Sequence, residues 1–146
     1  MITNNCAVDV NEIAESLRKA GLRATEPRIS VLGLLLKHPE RHHTADQIYH
    51  KLKSGHPSLS KTTVYNALQA MRRTGVVHGL TITEDEVLHG VGDGNHHHFY
   101  CKKCYSITDV DVACPLLGKM VQNAGFVDEI HGYFKGICKS CVKEEK

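Results

Sequence analysis

SLSKTTVYNALQAMRRTGVVHGLTITEDEVL, residues Ser58–Leu88, decides the fold of the first half of the chain. Ser60 has the hydroxyl that caps a helix N-terminus. From Lys61 to about Arg73, Val64, Leu68 and Met71 recur at i, i+4 and i+7, which puts them on one buried helical face. Gly75 follows as a C-terminal stop. The opposite face carries Lys61, Thr62, Tyr65, Asn66, Gln69, Arg72 and Arg73. Val76–Ile82, then Thr83-Glu84-Asp85, then Glu86-Val87-Leu88 read as strand, turn and strand, a short hairpin.

Upstream, Ser54-Gly55-His56-Pro57 is turn chemistry. Before it, Thr44 and Gln47 have capping-box spacing and open a helix with Ala45, Ile48 and Leu52 inward. Thr25 caps an earlier helix with Pro27 in its first turn and Ile29, Leu32, Leu35 and Leu36 inward. Val10, Ile13, Ala14 and Leu17 mark the first helix, closed by Gly21. Two helices joined by a tight turn and followed by a hairpin predict a winged helix-turn-helix over residues 1–88. In such a module the second helix lies in the DNA major groove. Its candidate contacts are Lys61, Thr62, Thr63, Tyr65, Asn66 and Arg72.

Charge supports a phosphate partner locally rather than globally. The whole chain of 146 residues has 18 basic and 16 acidic side chains, but Arg18–Arg73 has 11 basic against 3 acidic. A local excess of this kind is an electrostatic footprint for nucleic acid, although solubilising helix faces also produce one. The longest apolar run is Val31–Leu36, interrupted by Gly33, too short to span a bilayer. The N-terminus lacks the basic and apolar regions of a secretory signal, so a cytoplasmic protein without a membrane partner is expected.

Gly90-Val91-Gly92-Asp93-Gly94 reads as a hinge. Residues 89–146 then form a second domain. Phe99–Cys101 and Ile107–Val110 are short strands, Leu116–Ala124 a helix ending at Gly125, and Phe126–Cys138 further strand. The fold class expected is α+β: an N-terminal winged helix-turn-helix followed by a small α/β dimerisation domain. A unit of that size is hard to stabilise without a staple.

The staple is legible in the cysteines. Cys101-x-x-Cys104 and Cys138-x-x-Cys141 are separated by 33 residues. Two such pairs complete a tetrahedral four-sulfur site, which favours structural Zn²⁺. Disulfides lack a secretory context, and a redox CxxC needs no duplicate. Cys6 and Cys114 stay outside this scheme. Histidines number 11, and they concentrate at His89 and His96-His97-His98. Strand alternation puts His96 and His98 on one face, as a chelating pair. His42 and Asp109 are candidate partners, and nitrogen plus carboxylate donors suit Fe²⁺, Mn²⁺, Ni²⁺ or Zn²⁺. A lone histidine is ordinarily surface or core, so His38, His50, His56 and His78 receive no role, and His97 and His131 none that the sequence can name.

The chain resembles the ferric uptake regulator (Fur) family of metal-dependent repressors. The residues that carry the resemblance are GLRATEPR (Gly21–Arg28), HHTADQIY (His42–Tyr49), SLSKTTVYNAL (Ser58–Leu68), GVV (Gly75–Val77), HHHFYCKKC (His96–Cys104) and GICKSC (Gly136–Cys141). The resemblance implies a homodimer closed by metal over a palindromic operator. Asn66 and Asp109 make the chain most like the peroxide-responsive branch. Carried over, the regulatory site is His42, His96, His98 and Asp109, with a fifth ligand from the second wing strand. That ligand is a carboxylate in the family; this chain offers His89, with one extra residue before His96. The function implied is a repressor that senses peroxide through metal-catalysed oxidation at a hinge Fe²⁺ or Mn²⁺ site. The alternative is an iron, zinc or nickel uptake regulator. A metalloenzyme would need a general base and a substrate pocket, and neither is legible. A zinc-stapled interaction module would leave the basic helix unexplained.

Overall fold

A computed structural model of the chain describes residues 8–39, 41–81, 86–92, 97–110, 125 and 132–144. It divides into two compact units, Met1–Gly92 and Asp93–Lys146. The first unit keeps residues 89–92, which lie beyond the expected 88/89 boundary. The reason is backbone pairing: His89 and Gly90 still belong to the wing sheet.

The first unit opens with α1 (Val10–Lys19), whose N-cap Asp9 accepts a hydrogen bond from the Asn11 N–H. Ile13, Ala14 and Leu17 are its buried face. Gly21 sits at φ +78°, a left-handed conformation that L side chains rarely adopt, and ends the turn. In α2 (Glu26–Lys37) the buried residues are Val31, Leu32 and Leu35. Ile29 and Leu36, expected inside, only flank the core. The stretch from Val31 to Leu36 is apolar nearly all round, so its periodicity does not select a face.

The strand β1 (His43–Thr44) leads directly into α3 (Ala45–Lys53). Both halves of the predicted capping box form: Gln47 N–H donates to Thr44 Oγ1 at 3.1 Å, and Thr44 N–H donates to Gln47 Oε1 at 3.0 Å. In α4 (Lys61–Arg73) the Ser60 hydroxyl accepts from the Thr63 N–H at 3.1 Å. Val64, Ala67, Leu68 and Met71 are buried. With Leu17, Val31, Leu35 and Ile48 they form one apolar core. Each of the valine, leucine, isoleucine and methionine side chains contributes about 1.5–3 kcal/mol on burial.

The wing is three-stranded rather than a plain hairpin. β2 (His78–Thr81) and β3 (Val87–Gly90) pair antiparallel, and β1 adds to the far edge of β3, giving the order β1-β3-β2. A two-residue strand has too little periodicity to be seen in sequence. The expected turn at Thr83–Asp85 lies outside the described residues.

In the second unit β4 (His97–Cys101) is central, with β5 (Ile107–Val110) antiparallel on one side and β6 (Tyr133–Gly136) parallel on the other. A short helix, α5 (Lys139–Lys143), follows, with Cys138 at its N-cap. The helix expected over Leu116–Ala124, together with Cys6, His96, Cys114 and His131, lies outside the described residues.

Candidate metal centres and nucleic-acid interface

The four cysteines converge within the second unit, where all four sulfurs lie within 4.8 Å of one another. Cys101 ends β4, Cys104 sits in the tight turn that follows, and Cys138 and Cys141 flank the first turn of α5. The turn is set by the Tyr105 N–H, which donates to the Cys101 carbonyl at 2.9 Å, and Tyr105 itself takes φ +60°. The Lys102 N–H donates to the Gly136 carbonyl at 2.8 Å, which ties this turn to the end of β6.

Ideal tetrahedral zinc with Zn–S of about 2.3 Å places its sulfurs about 3.8 Å apart. Cys104 Sγ and Cys138 Sγ are 3.8 Å apart, and none of the four is in a disulfide. The residues therefore fit structural Zn²⁺. Backbone N–H groups of the turns favour one thiolate strongly: those of Cys104 and Cys138 hold the Cys101 thiol down to about 6. The Cys138 N–H reaches Cys101 Sγ at 3.3 Å. The Ser106 hydroxyl, 3.0 Å away, lowers Cys104 as well. Hydrogen bonding to Cys138, then burial, pushes Cys141 up to about 12. Adjacent sulfurs cannot all ionise without a cation, and a bound divalent ion resolves that conflict.

The predicted regulatory ligands fall in both units. In the second, His98 and Asp109 are cross-strand partners. His98 is 1% exposed, and its Nδ1 lies 3.0 Å from Asp109 Oδ1. An ionised carboxylate only accepts, so Nδ1 carries the proton and Nε2 is the basic nitrogen. That is the arrangement by which proteins orient an imidazole for a metal.

In the first unit His42 approaches His78, with the two Nε2 atoms 3.1 Å apart. The sequence assigned no role to His78. His89 goes elsewhere. It pairs across the sheet with Gly79, over which the Arg72 guanidinium lies. It is buried, and burial, then Arg72 and His78, lowers its pKa to about 4. His43, on the other edge, is its second cross-strand partner and meets Lys51 Nζ at 3.1 Å.

The DNA candidates sort by exposure. Lys61, Thr62, Tyr65 and Asn66 are exposed on α4, Tyr65 at 59%. Lys61 pairs with Asp46 at the start of α3, which raises the Lys61 pKa and lowers that of Asp46. Thr63 is half-buried with its hydroxyl 2.7 Å from that of Ser60, so it serves the cap. Arg72 is exposed but packs over Gly79 of β2, on the wing side of the helix.

The sequence profile of the Ferric uptake regulator family matches residues 19–130. The chain belongs to that family. The Fur-family chain is similar to the peroxide-responsive repressor PerR of Staphylococcus epidermidis, 35% identical over 141 residues covering 93% of this chain and 92% of that one. It is nearly as similar to the transcriptional regulator FurA of Mycobacterium tuberculosis, 34% identical over 137 residues, covering 90% and 91%. Its fold matches the ferric uptake regulator of Francisella tularensis with iron. There the TM-score is 0.70 at 24% identity, over 84% of this chain and 96% of the other. As a Fur-family protein it is a metal-responsive transcriptional regulator, with a four-cysteine cluster for structural zinc. No described helix is long and apolar enough to cross a membrane.

Proposed function

We propose that the chain is a peroxide-sensing repressor that binds palindromic operator DNA as a homodimer when a regulatory Fe²⁺ or Mn²⁺ is bound. The observation that carries this reading is the His98–Asp109 pair, a buried imidazole aimed by a carboxylate. The ligand set is drawn from His42, His96, His98 and Asp109, as the sequence implies, with a fifth ligand from the wing, for which the sequence offered His89. The similarity to the Staphylococcus epidermidis peroxide-responsive repressor supports it. Asp109 fixes the His98 tautomer, so Nε2 is the atom offered to an ion. Metal then favours the DNA-competent conformation by its higher affinity for that state. Fe²⁺ held by these residues would supply one-electron reducing chemistry toward peroxide, which Mn²⁺ in a nitrogen–oxygen site would not. Lys61, Thr62, Tyr65 and Asn66 face the duplex, and the cysteine-bound zinc holds the second unit.

The test is anaerobic. The Fe²⁺ form, but not the Mn²⁺ form, is expected to leave DNA on addition of peroxide. Peptide mass spectrometry is expected to find one added oxygen on the peptide with His42 or that with His96. Iron-loaded protein that stays on DNA with both peptides unmodified would leave the uptake-regulator reading instead. A donor set with three or four imidazoles and one carboxylate suits Zn²⁺ or Ni²⁺ and favours that second reading.

A further inference from the structure

We infer that His42 and His78 form a two-imidazole site for a divalent cation on one face of the wing sheet. His78 takes the place that the sequence gave to His89. The inference rests on the proposed regulatory metal and changes its ligands.

The pair has the spacing of ligands to one ion. Two nitrogens about 2.0–2.1 Å from a metal, at angles between octahedral and tetrahedral, lie about 2.8–3.4 Å apart. His42 Nε2 and His78 Nε2 are 3.1 Å apart, with the ring planes tilted by 58°. Without metal, one proton shared between the two nitrogens satisfies the same distance. A divalent cation displaces that proton.

The sheet register explains why His78 and not His89. His78 pairs with Gly90, and Gly79 pairs with His89. Cross-strand partners share a face, and neighbours along a strand point to opposite faces. His78 and position 90 therefore share one face, and His89 is on the other, with Arg72 over its partner Gly79. A metal cation beside a guanidinium is electrostatically disfavoured. The hollow on the His78 face is kept open by Gly90. A Cβ there would lie 2.6 Å from His42 Cδ2, 2.7 Å from His42 Nε2 and 3.2 Å from His78 Nε2. The wing position nearest His42 thus has no side chain, and the opposite strand supplies the donor. Both rings are half-buried, so an ion can reach them. An added imidazole donor raises preference for Zn²⁺ or Ni²⁺ over Mn²⁺.

The experiment uses the full chain with its cysteine zinc retained and Co²⁺ as a spectroscopic probe at the second site. His78→Ala and the closer mimic His78→Asn are each expected to weaken Co²⁺ binding by about tenfold or more and to change the visible bands, with zinc content and thermal unfolding midpoint unchanged. His89→Ala is expected to leave affinity and spectrum as in the wild type. The reverse pattern, loss with His89→Ala and none with either His78 variant, overturns the inference. His98→Ala separates this from the wider reading. Loss with His98→Ala but not with the His78 variants overturns the inference alone. No loss with any of these variants overturns both it and the regulatory metal site.

Discussion

Asp109, a candidate ligand in the sequence, also acts on its cross-strand neighbour. Its hydrogen bond to His98 sets the tautomer of a buried ring. Asp109→Asn keeps the shape and removes the charge, and an amide can present its N–H side to the ring. Mn²⁺ affinity measured by calorimetry is expected to fall about 10–100-fold, with the cysteine zinc untouched. Unchanged affinity would make the pair structural only. Gly132 makes a second prediction at this scale. A Cβ there would overlap the His97 ring. Gly132→Ala is expected to destabilise the protein by about 1–3 kcal/mol in denaturant unfolding, the usual cost of overpacking. Sequence singled out His42, His98 and Asp109 as candidate ligands. It did not show His78, because nothing local distinguishes that residue: His42 lies 36 positions away, and only the cross-strand register with Gly90 brings the two together. A one-residue change of register exchanges faces, so His78 and His89 lie on opposite faces of the sheet.

At the scale of elements, the helices were the most legible because their end signals are chemical. Thr44 with Gln47, and Ser60 ahead of Lys61, announce helix starts that the structure makes with the expected hydrogen bonds. Thr44→Ala is expected to lower stability by about 1 kcal/mol. Leu68, 1% exposed in the core of α4, is expected to cost about 2–5 kcal/mol as Leu68→Ala. Both are read by equilibrium unfolding, and equal effects at the two sites would contradict this account of the core. The outward face of α4 is tested by DNA binding. Lys61→Ala is expected to weaken binding to all sequences and reduce the salt slope by about one, while Tyr65→Ala and Asn66→Ala lower sequence preference. Elements too short for a pattern were invisible: β1 has two residues and α5 five. The outcome at Thr63 and Arg72 has a similar origin. Helical spacing places both on the polar side, but Ser60 takes the hydroxyl of one and Gly79 leaves room for the other to lie on the wing.

For the whole molecule, the paired CxxC motifs made the second unit legible in advance. Four sulfurs spaced for zinc can converge only if β4, β6 and α5 bring two distant turns together, as they do. Cys138→Ser is expected to release the zinc and unfold the second unit, followed by metal analysis and circular dichroism; zinc retained at one ion per chain would contradict that role. The central claim concerns both units at once: metal makes this chain a sequence-reading dimer. The most direct measurement is selection from a random duplex DNA library by zinc-replete protein, with Mn²⁺ and again with a chelator too weak to remove the cysteine zinc. The account predicts an enriched palindrome with Mn²⁺ and none with the chelator. Equal enrichment in both conditions, or an enriched site without two-fold symmetry, would contradict it.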